Sequence, residues 1–382
     1  MPTREIRKQL LGKVHRVVIK LGSYVLTTPS GKLDRKVFSD VVDSLVQVRE
    51  RGIDCILVSS GAIASGIGRL GLKTRPRLLE QEQAAAAIGQ IRLMGLYDRL
   101  FTRHTIPVAQ VLLTHGDMRD RRRFLRARQT LNSVLDYGAV PIINENDTTV
   151  VDEIRFGDND YLSSLVTNLA QADLLVILTD IDGFYDADPR TQPDARLIGL
   201  LETVDEDAEK LARGPASKIG RGGMATKLKA AKTAASYGIP TIIANGKKPG
   251  TLRAVFDGAP VGTLILPEKN KLTGKKHWIA YTLKPQGALV LDAGARDALE
   301  KRLRSLLPSG IVSVEGDFDA GECVSCRDES GREFARGLTA YGSEAVNKIK
   351  GLKTAQISAV LGRSVNREVI HRDDLVVFSA LK

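Results

Sequence analysis

The sequence is poor in cysteine and histidine and has no long hydrophobic run, and each shortage excludes a class of protein. Its three cysteines, Cys55, Cys323 and Cys326, cannot form an even disulfide framework, which argues against a disulfide-stabilised scaffold. The five histidines are scattered, so no Ser-His-Asp triad or zinc site can be argued from their spacing. The longest uncharged apolar runs, such as LLVILT, are too short to cross a bilayer. We therefore expect a cytoplasmic protein without a membrane segment.

Repeats, low-complexity tracts and a Walker P-loop are also missing. The pattern GxxxxGK[ST] does not occur, which excludes the commonest glycine-rich nucleotide loop. Hydrophobic residues make up 43% and charged residues 26% of the chain, a balance typical of soluble globular proteins and not of disordered ones. A length of 382 residues exceeds what one hydrophobic core usually serves, so we expect two domains of unequal size.

The formal net charge of +11 is unevenly distributed. Residues 285–382 carry 14 basic and 14 acidic side chains, whereas residues 1–284 carry 42 basic and 31 acidic ones. A diffuse positive field concentrates small anions such as nucleotides and dicarboxylates as well as polyanions. Nucleic-acid-binding domains usually concentrate basic residues on one face, so the balanced C-terminal region argues against RNA as the main partner.

Short apolar runs alternate with longer amphipathic stretches over the first two thirds of the chain. This alternation is typical of strands joined by crossover helices, and it predicts an α/β fold with a mainly parallel sheet between helices. Strands are predicted at 17–22, 53–60, 106–113, 139–144, 173–180 and 240–246, and helices at 34–51, 79–103, 120–137, 160–171 and 223–237.

The alternation of strand and helix patterns stops near residue 263, where lysines, a glycine and two prolines interrupt it. We expect a first domain over 1–268, a linker over 269–284 and a smaller, mainly β domain over 285–382. The predicted strands of this last domain are GALVLD, IVSVEG, ECVSCRD, EFARGL and LVVFSA, and its clearest predicted helix is LEKRLRSLL (299–307).

Two motifs at predicted strand ends favour binding of an anion. Lys20 ends the first strand and is followed by Gly22 and Ser23; ligands of such sheets bind beyond the carboxyl ends of the strands, and glycine lets backbone amides approach a phosphate. A solvent-facing lysine is the alternative. In VSSGAIASG (58–66) a strand runs into a Ser/Gly turn with Ser60 and then a small-residue helix, which suits a carboxylate or phosphate. An ordinary turn that needs glycine is equally compatible.

A third segment, INENDTTVVDEIRFGDNDYLSS, is dense in amides and carboxylates. One predicted strand ends in the polar residues Asn144 to Asp147, and the triplet Asp158-Asn159-Asp160 precedes a helix. Such a set can bind an ammonium group, orient an amino-acid ligand or hold magnesium through water. Helix capping and a solvated loop explain some of these residues but not all.

A fourth pair of segments combines acidic and glycine-rich loops. The strand at 173–180 delivers Thr179 and Asp180 into a loop rich in aspartate, and a glycine run leads into a helix that carries Lys227 in its first turn. A lysine there opposes the helix dipole, and a bound anion would justify it. This arrangement predicts a glycine cradle for phosphate that differs from the Walker type.

Three weaker patterns are interpreted structurally. GIGRLG (66–71) matches GxGxxG but follows a helix instead of a strand. Cys323-x-x-Cys326 lacks a second pair, and the alternation of ECVSCRD favours a strand buried on one face. The basic run 119–128 is typical of a solvated helix face.

The segments VVIKLGS, VSSGAIASG, INENDTT, FGDND, LTDIDGFYDADPR and GGMATK, in this order, resemble the glutamate 5-kinases of the amino-acid kinase superfamily. GALVLDAGA and GREFARGL resemble the PUA domain that bacterial members of this family carry. The resemblance covers nearly the whole chain, and GGMATK and the DND segment are its more specific parts. It implies phosphorylation of the γ-carboxylate of L-glutamate by ATP with Mg²⁺, the first step of proline biosynthesis.

The resemblance also implies a role for each matching residue. Lys20 and Lys227 would hold the phosphates and stabilise the transferring phosphoryl group, and Asp158 and Asp160 would orient the lysines or organise the magnesium, with Asp158 as the candidate metal ligand. Glutamate would be bound by Ser60, Asp147 and Asn159. The nucleotide site would be lined by Lys20, Thr179, Asp180, Arg221, Gly222, Gly223, Met224, Ala225, Thr226 and Lys227. Arg221 stands where the family usually has a small residue.

Members of this family are further expected to be inhibited by proline, to pass their acyl phosphate to glutamyl phosphate reductase and to form dimers or tetramers. Two alternatives stay open at this stage. One is another acceptor within the superfamily, such as N-acetylglutamate, aspartate, carbamate or uridylate. The other is RNA binding through the PUA-like domain.

Overall fold

The computed structural model of the chain describes residues 2–28, 31–149, 159–213, 223–268, 276, 279–280, 283–352, 356–357, 360 and 368–378. The chain divides into two compact units, Met1–Lys269 and Asn270–Lys382. Most of the predicted linker over 269–284 lies outside the described residues. Within that range, Ile279 and Ala280 are buried in the second unit beside Cys323 and Val376.

The first unit is built on an eight-stranded sheet. Its strands are β1 (Arg16–Leu21), β2 (Asp54–Ser59), β3 (Val108–Leu113), β4 (Val140–Glu145), β5 (Leu174–Thr179), β6 (Leu200–Leu201), β7 (Thr241–Asn245) and β8 (Thr263–Ile265). They follow the order β3-β4-β2-β1-β5-β7-β8-β6, and every neighbouring pair is parallel except β7 and β8. From β1 the chain builds one side of the sheet and then returns to β5 on the other side, so β1 and β5 meet at a topological switch point, where α/β sheets bind ligands.

Helices cover both faces of this sheet. They are α1 (Pro2–Leu11), α2 (Ser23–Leu26), α3 (Arg35–Arg49), α4 (Ala62–Leu70), α5 (Leu79–Thr102), α6 (His115–Arg119), α7 (Arg121–Asp136), α8 (Asn159–Leu169), α9 (Glu206–Arg213), α10 (Met224–Ser236) and α11 (Thr251–Phe256). The predicted mainly parallel α/β architecture is confirmed. Among the described residues, no helix has the length and apolar character needed to cross a bilayer.

The alternation of side chains along each strand divides the core into two layers. In β1, Val17, Ile19 and Leu21 pack in the layer of α3 and α5, whereas Val18 packs in the layer of α8 and α10. Successive strand residues point to opposite faces, so Lys20 points to the same face as Val18. The strand therefore directs a buried lysine toward α8 and α10.

Helices α4 and α5 pack at a separation that only glycine allows. A Cβ on Gly66 would lie 1.8 Å from the Ala85 carbonyl oxygen, and one on Gly89 would lie 1.8 Å from that of Ala62. A Cβ on Gly68 would meet nothing within 4 Å. The GxGxxG match at 66–71 is thus a helix-packing and helix-terminating sequence: it lies within α4 and ends at Gly71, whose φ is 67°.

The first helix is fastened by a buried arginine. Arg7 is 1% exposed, and its guanidinium donates hydrogen bonds to the carbonyl oxygens of Val261 (2.7 Å), Gly262 (2.9 Å) and Gly199 (3.2 Å). These carbonyls flank β6 and β8, so one side chain ties α1 to the far edge of the sheet.

The second unit contains a five-stranded sheet of order β10-β9-β11-β12-β13. Its elements are β9 (Gly287–Leu291), α12 (Ala293–Glu300), β10 (Ile311–Gly316), β11 (Cys323–Arg327), β12 (Glu333–Leu338), α13 (Ser343–Ile349) and β13 (Leu375–Val377). All five predicted strands are present, which confirms the smaller, mainly β C-terminal unit.

Two details of this unit differ from the sequence prediction. The helix predicted at 299–307 is wrong: α12 begins after the N-cap Asp292 and ends at Glu300, because Leu303 has a φ of 48° and Leu306 pairs with Ile370. Strand β11 is buried on both faces instead of one, so Cys323 and Cys326 lie in different clusters. Burial raises the pKa of the Cys323 thiol to about 12 and raises that of Cys326 as well, so both thiols stay protonated.

Candidate active site

The site begins with Lys20 at the carboxyl end of β1. Its side chain is 1% exposed, and a Cβ added to Gly22 would lie 3.5 Å from its Nζ. Glycine at position 22 therefore leaves room beside the ammonium group. A lysine at the end of a central parallel strand lies where this class of sheet binds anions.

Asp160 joins Lys20 to Lys227. Its Oδ1 lies 2.5 Å from Lys20 Nζ, and its Oδ2 lies 3.2 Å from Lys227 Nζ. All three side chains are buried. The structure thus places two ammonium groups on the two oxygens of one carboxylate, with the lysines supplied by β1 and α10 and the aspartate by α8.

The charge of Asp160 is maintained by the two lysines. Burial alone raises the pKa of this carboxyl, but the positive charges of Lys20 and Lys227 outweigh burial and hold the pKa at about 2. The hydroxyl of Thr226 lies 2.8 Å from Asp160 Oδ2 and also 2.8 Å from the Gly223 carbonyl oxygen. Asp160 is therefore ionised at neutral pH and able to hold both lysines in place.

Lys227 is the fourth residue of α10, which begins after Gly223 without a side-chain cap. A cation at a helix N-terminus is unfavourable, and the sequence suggested a bound anion as its justification. The structure adds a second reason, because the Asp160 carboxylate reaches the lysine from the neighbouring helix α8. Gly223, Met224, Ala225 and Thr226 precede it in this turn, whereas Arg221 and Gly222 lie outside the described residues.

Ser60 and Asn159 meet beside this charged group. Asn159 Nδ2 donates to Ser60 Oγ at 3.0 Å, to the Ser59 carbonyl oxygen at 2.8 Å and to Asn144 Oδ1 at 2.9 Å. Within the described part of the chain, Asn159 Oδ1 accepts no hydrogen bond. Since the donors of this amide are engaged by the protein, the group that Asn159 can offer a ligand is an acceptor.

The same network continues away from the site to a residue that the sequence prediction missed. Asn144 Nδ2 donates to Gln90 Oε1 at 2.9 Å, and both side chains are buried. Gln90 lies on α5 in line with Ala86, Leu93 and Tyr97, which are all buried. A polar residue on the apolar stripe of a helix is the sequence signal that could have identified it.

On the other side of the lysines, β5 delivers Thr179 and Asp180. Thr179 Oγ1 donates to Asp180 Oδ1 at 3.1 Å, and Arg190 lies 3.3 Å from Asp180 Oδ2. Asp182 accepts from Asn245 at 2.9 Å and pairs with Lys248 at 2.7 Å. These bonds brace the acidic loop after β5 against the end of β7, with Asn245 and Lys248 as residues that the sequence prediction did not select.

The remaining predicted site residues are placed as follows. Asp147 lies in the loop after β4 and is partly buried. Asp158, the candidate metal ligand, lies outside the described residues. Among the described residues, no group of three or more His, Cys, Asp or Glu side chains is arranged to hold a metal ion.

Part of the basic run 119–128 has a structural role. Arg128 donates to the carbonyl oxygens of Asn168 and Leu169 at the end of α8, both at 3.1 Å. Its guanidinium also lies 5.0 Å from the centre of the Phe124 ring, and Arg123 pairs with Asp117 at 3.2 Å. These contacts support the interpretation of this run as a helix face.

Comparisons with known proteins identify the family of the chain. The model of the amino acid kinase family matches residues 15–245, and the model of the PUA domain matches residues 287–361. A glutamate 5-kinase of Geobacter sulfurreducens is 51% identical over 97% of this chain and 100% of its own length, and that of Pelobacter propionicus is 50% identical with the same coverage.

A solved structure shares the fold. Carbamate kinase from Giardia lamblia, bound to AMP-PNP, superimposes with a TM-score of 0.50 at 15% identity, over 67% of this chain and 99% of that one. At this identity the likeness concerns the fold alone. Together with the family match and the full-length relatives, it establishes that the chain belongs to the amino acid kinase family, among the glutamate 5-kinases that carry a C-terminal PUA domain.

Proposed function

We propose that the chain transfers the γ-phosphoryl group of ATP to the γ-carboxylate of L-glutamate and so forms L-glutamyl 5-phosphate, the first step of proline biosynthesis. The observation that carries this proposal is the buried group Lys20–Asp160–Lys227 beside the Ser60–Asn159 pair. The two lysines suit the phosphates of ATP, and the Ser60–Asn159 pair suits an amino acid.

The reaction requires little covalent help from the protein. A carboxylate oxygen of glutamate forms a bond to the γ-phosphorus while the bond from that phosphorus to the bridging oxygen breaks, and the electron pair leaves with ADP. A carboxylate is already ionised at neutral pH, so no general base is needed. Catalysis then depends on in-line positioning and on stabilising charge on the transferring group.

Lys20 and Lys227 would supply that stabilisation. Their ammonium groups are fixed on opposite oxygens of Asp160, so they need not reorganise when charge develops on the phosphoryl oxygens. Asp160 would act as a positioning residue for both. Thr179, Asp180 and the turn from Arg221 to Lys227 would line the nucleotide site.

Glutamate would lie against Ser60, Asp147 and Asn159. The open Asn159 Oδ1 is an acceptor, and the α-ammonium group of an amino acid carries three donors. An N-acylated substrate carries only one N–H and more bulk at this point. The polarity of Asn159 therefore favours L-glutamate over N-acetyl-L-glutamate.

Mg²⁺ fits this site as a companion of ATP. Such ions keep several waters and bind substrate phosphates with one or two carboxylates, without a dedicated protein cage. Both oxygens of Asp160 contact lysines, and Asp158 is the candidate ligand that the resemblance implies. When bound, the ion would neutralise phosphate charge during transfer.

The proposal includes four properties implied by the glutamate 5-kinase resemblance. These are inhibition by proline, assembly into a dimer or tetramer, transfer of the product to glutamyl phosphate reductase and a cytoplasmic location. Inhibition by proline can be measured in the same assay as the activity.

The test measures ADP release and traps the acyl phosphate with hydroxylamine, using ATP, Mg²⁺ and either L-glutamate or N-acetyl-L-glutamate, with and without proline. We expect hydroxamate from L-glutamate only, and less of it when proline is added. Hydroxamate from N-acetyl-L-glutamate alone would overturn the substrate assignment, and a rate independent of proline would overturn the regulatory one.

A further inference from the structure

Gln90 has a buried hydrogen-bond donor that no described residue engages. The side chain is 8% exposed, and within the described residues its Nε2 has no hydrogen-bond partner. An unsatisfied buried donor costs free energy, and each one in a native structure requires an explanation. The explanation lies in what the other end of the same amide does.

The direction of every amide in the chain from Asn159 to Gln90 is determined by the backbone. The Glu145 N–H can only donate, so the atom of Asn144 that it contacts at 2.9 Å must be Oδ1. The Ser59 carbonyl can only accept, so the atom of Asn159 at 2.8 Å must be Nδ2. The remaining end of Asn144 is therefore Nδ2, a donor that needs an acceptor.

Gln90 supplies that acceptor. Its Oε1 receives Asn144 Nδ2 at 2.9 Å, and this assignment leaves Nε2 as the unpartnered end. Turning the Gln90 amide over would place an NH₂ group against the NH₂ group of Asn144, so the unused donor is the cost of keeping Asn144 in its orientation. Asn144 Oδ1 in turn holds Asn159 Nδ2.

Resting on the proposed function, we infer that Gln90 is a positioning residue for recognition of the substrate's amino group. It acts through Asn144 on Asn159, whose Oδ1 then faces the ligand as an acceptor. Gln90 itself touches neither the nucleotide nor the reacting carboxylate. Its loss should weaken recognition of the ammonium group and leave the phosphoryl-transfer step largely intact.

The test replaces Gln90 by Met, which is also unbranched and a good helix former but accepts no comparable hydrogen bond. The readout is the ratio of kcat/KM for L-glutamate to that for glutarate, which has both carboxylates but no amino group, with the two acceptors competing in one reaction. Gln81→Met, an exposed position on the same helix, is the matched control.

We expect Gln90→Met to raise KM for L-glutamate about three- to tenfold, the effect of losing one ordering hydrogen bond. The kcat and the KM for ATP should change less than about twofold, and the glutamate-to-glutarate ratio should fall by the same factor as kcat/KM for glutamate. Gln81→Met should match the wild type. An unchanged glutamate-to-glutarate ratio, including one that results from equal losses with both acceptors, would overturn the inference.

Gln90→Glu provides a second variant in case Gln90→Met does not fold. Both of its oxygens accept, so Asn144 keeps its orientation, and repulsion of substrate carboxylates affects glutamate and glutarate alike. The ratio should be maintained or rise even if both rates fall, and a collapse of the ratio would contradict the inference. Wild-type activity with L-glutamate is measured first, so failure of the proposed function is distinguished from failure of the role of Gln90.

Discussion

Lys20 and Asp160 form a buried ion pair, with Nζ and Oδ1 2.5 Å apart and each side chain at most 1% exposed. Removing one partner of such a pair leaves an uncompensated buried charge. Lys20 is fixed by β1 and Asp160 by the first turn of α8, so the pair also fastens this helix to the centre of the sheet. The stability of the fold and the proposed phosphoryl transfer therefore depend on the same carboxylate.

The Asp160→Asn variant should lose both stability and phosphoryl-transfer activity. Without the carboxylate, Lys20 and Lys227 remain side by side in a buried position, and we expect the free energy of unfolding to fall by about 3 kcal/mol or more. Urea titration followed by circular dichroism measures this change. Asp182→Asn, in a partly exposed pair with Lys248, is the control and should cost less than about 1 kcal/mol. A difference below 1 kcal/mol between the variants would contradict the role of Asp160.

The low pKa of Asp160 predicts a specific acid sensitivity. The pKa of Asp160 is about 2 in the folded protein, against 3.8 for an unperturbed aspartate, so the stabilisation is complete above about pH 4 and is lost as the pH falls toward 2. Thermal melts of the wild type and Asp160→Asn should therefore converge below pH 4. Above pH 4 the two curves should run parallel. If they stayed parallel down to pH 2.5, the pKa of Asp160 would not be shifted, and the prediction would be wrong.

Lys227→Ala should lower kcat by more than about 100-fold, the magnitude of a lost transition-state charge contact. Asp160 retains Lys20, so the variant should fold, as circular dichroism can verify. Lys229→Ala, an exposed position on the same helix, is the control and should stay within about threefold of the wild type. A folded Lys227→Ala enzyme with wild-type turnover would refute the assigned role.

The contact between α4 and α5 predicts opposite effects for two nearby glycines. Gly66→Ala would place a Cβ 1.8 Å from a carbonyl oxygen, whereas Gly68→Ala meets open space. We expect Gly66→Ala to destabilise the protein by about 2 kcal/mol or more, and Gly68→Ala to be neutral or to stabilise it by up to about 1 kcal/mol, because alanine favours helix. The melting temperatures of the two variants test this prediction, and equal shifts in both would contradict the close packing of α4 and α5.

Removal of the Arg7 side chain should loosen the N-terminal helix. Arg7→Met removes the guanidinium donor from the carbonyl oxygens of Val261, Gly262 and Gly199, of which Gly199 keeps a hydrogen bond from the Leu264 N–H. We expect the free energy of unfolding to fall by about 2 kcal/mol. Arg4→Met, an exposed position one turn earlier, should change stability by less than about 0.5 kcal/mol. Hydrogen exchange of the α1 amides should accelerate in Arg7→Met alone; unchanged protection would show that other contacts hold the helix.

The sequence was informative where local chemistry decides the structure. Apolar runs located six of the eight strands of the main sheet, and the short strands β6 and β8 were missed. Lys20 followed from its place at a strand end. The helix predicted at 299–307 failed because a run of good helix formers does not reveal that Leu306 pairs with the distant Ile370. Gln90 was missed for a similar reason: helical periodicity shows that a residue is buried but does not identify its hydrogen-bond partner.

Asn159 and Asp160 are consecutive residues at the start of one helix. Asn159 belongs to the hydrogen-bond network with Ser60, Asn144 and Gln90, whereas Asp160 pairs with the two lysines. A rigid displacement of α8 would therefore disturb acceptor binding and phosphoryl chemistry together. In the proposed reaction, the start of α8 would therefore set the distance between the two substrates.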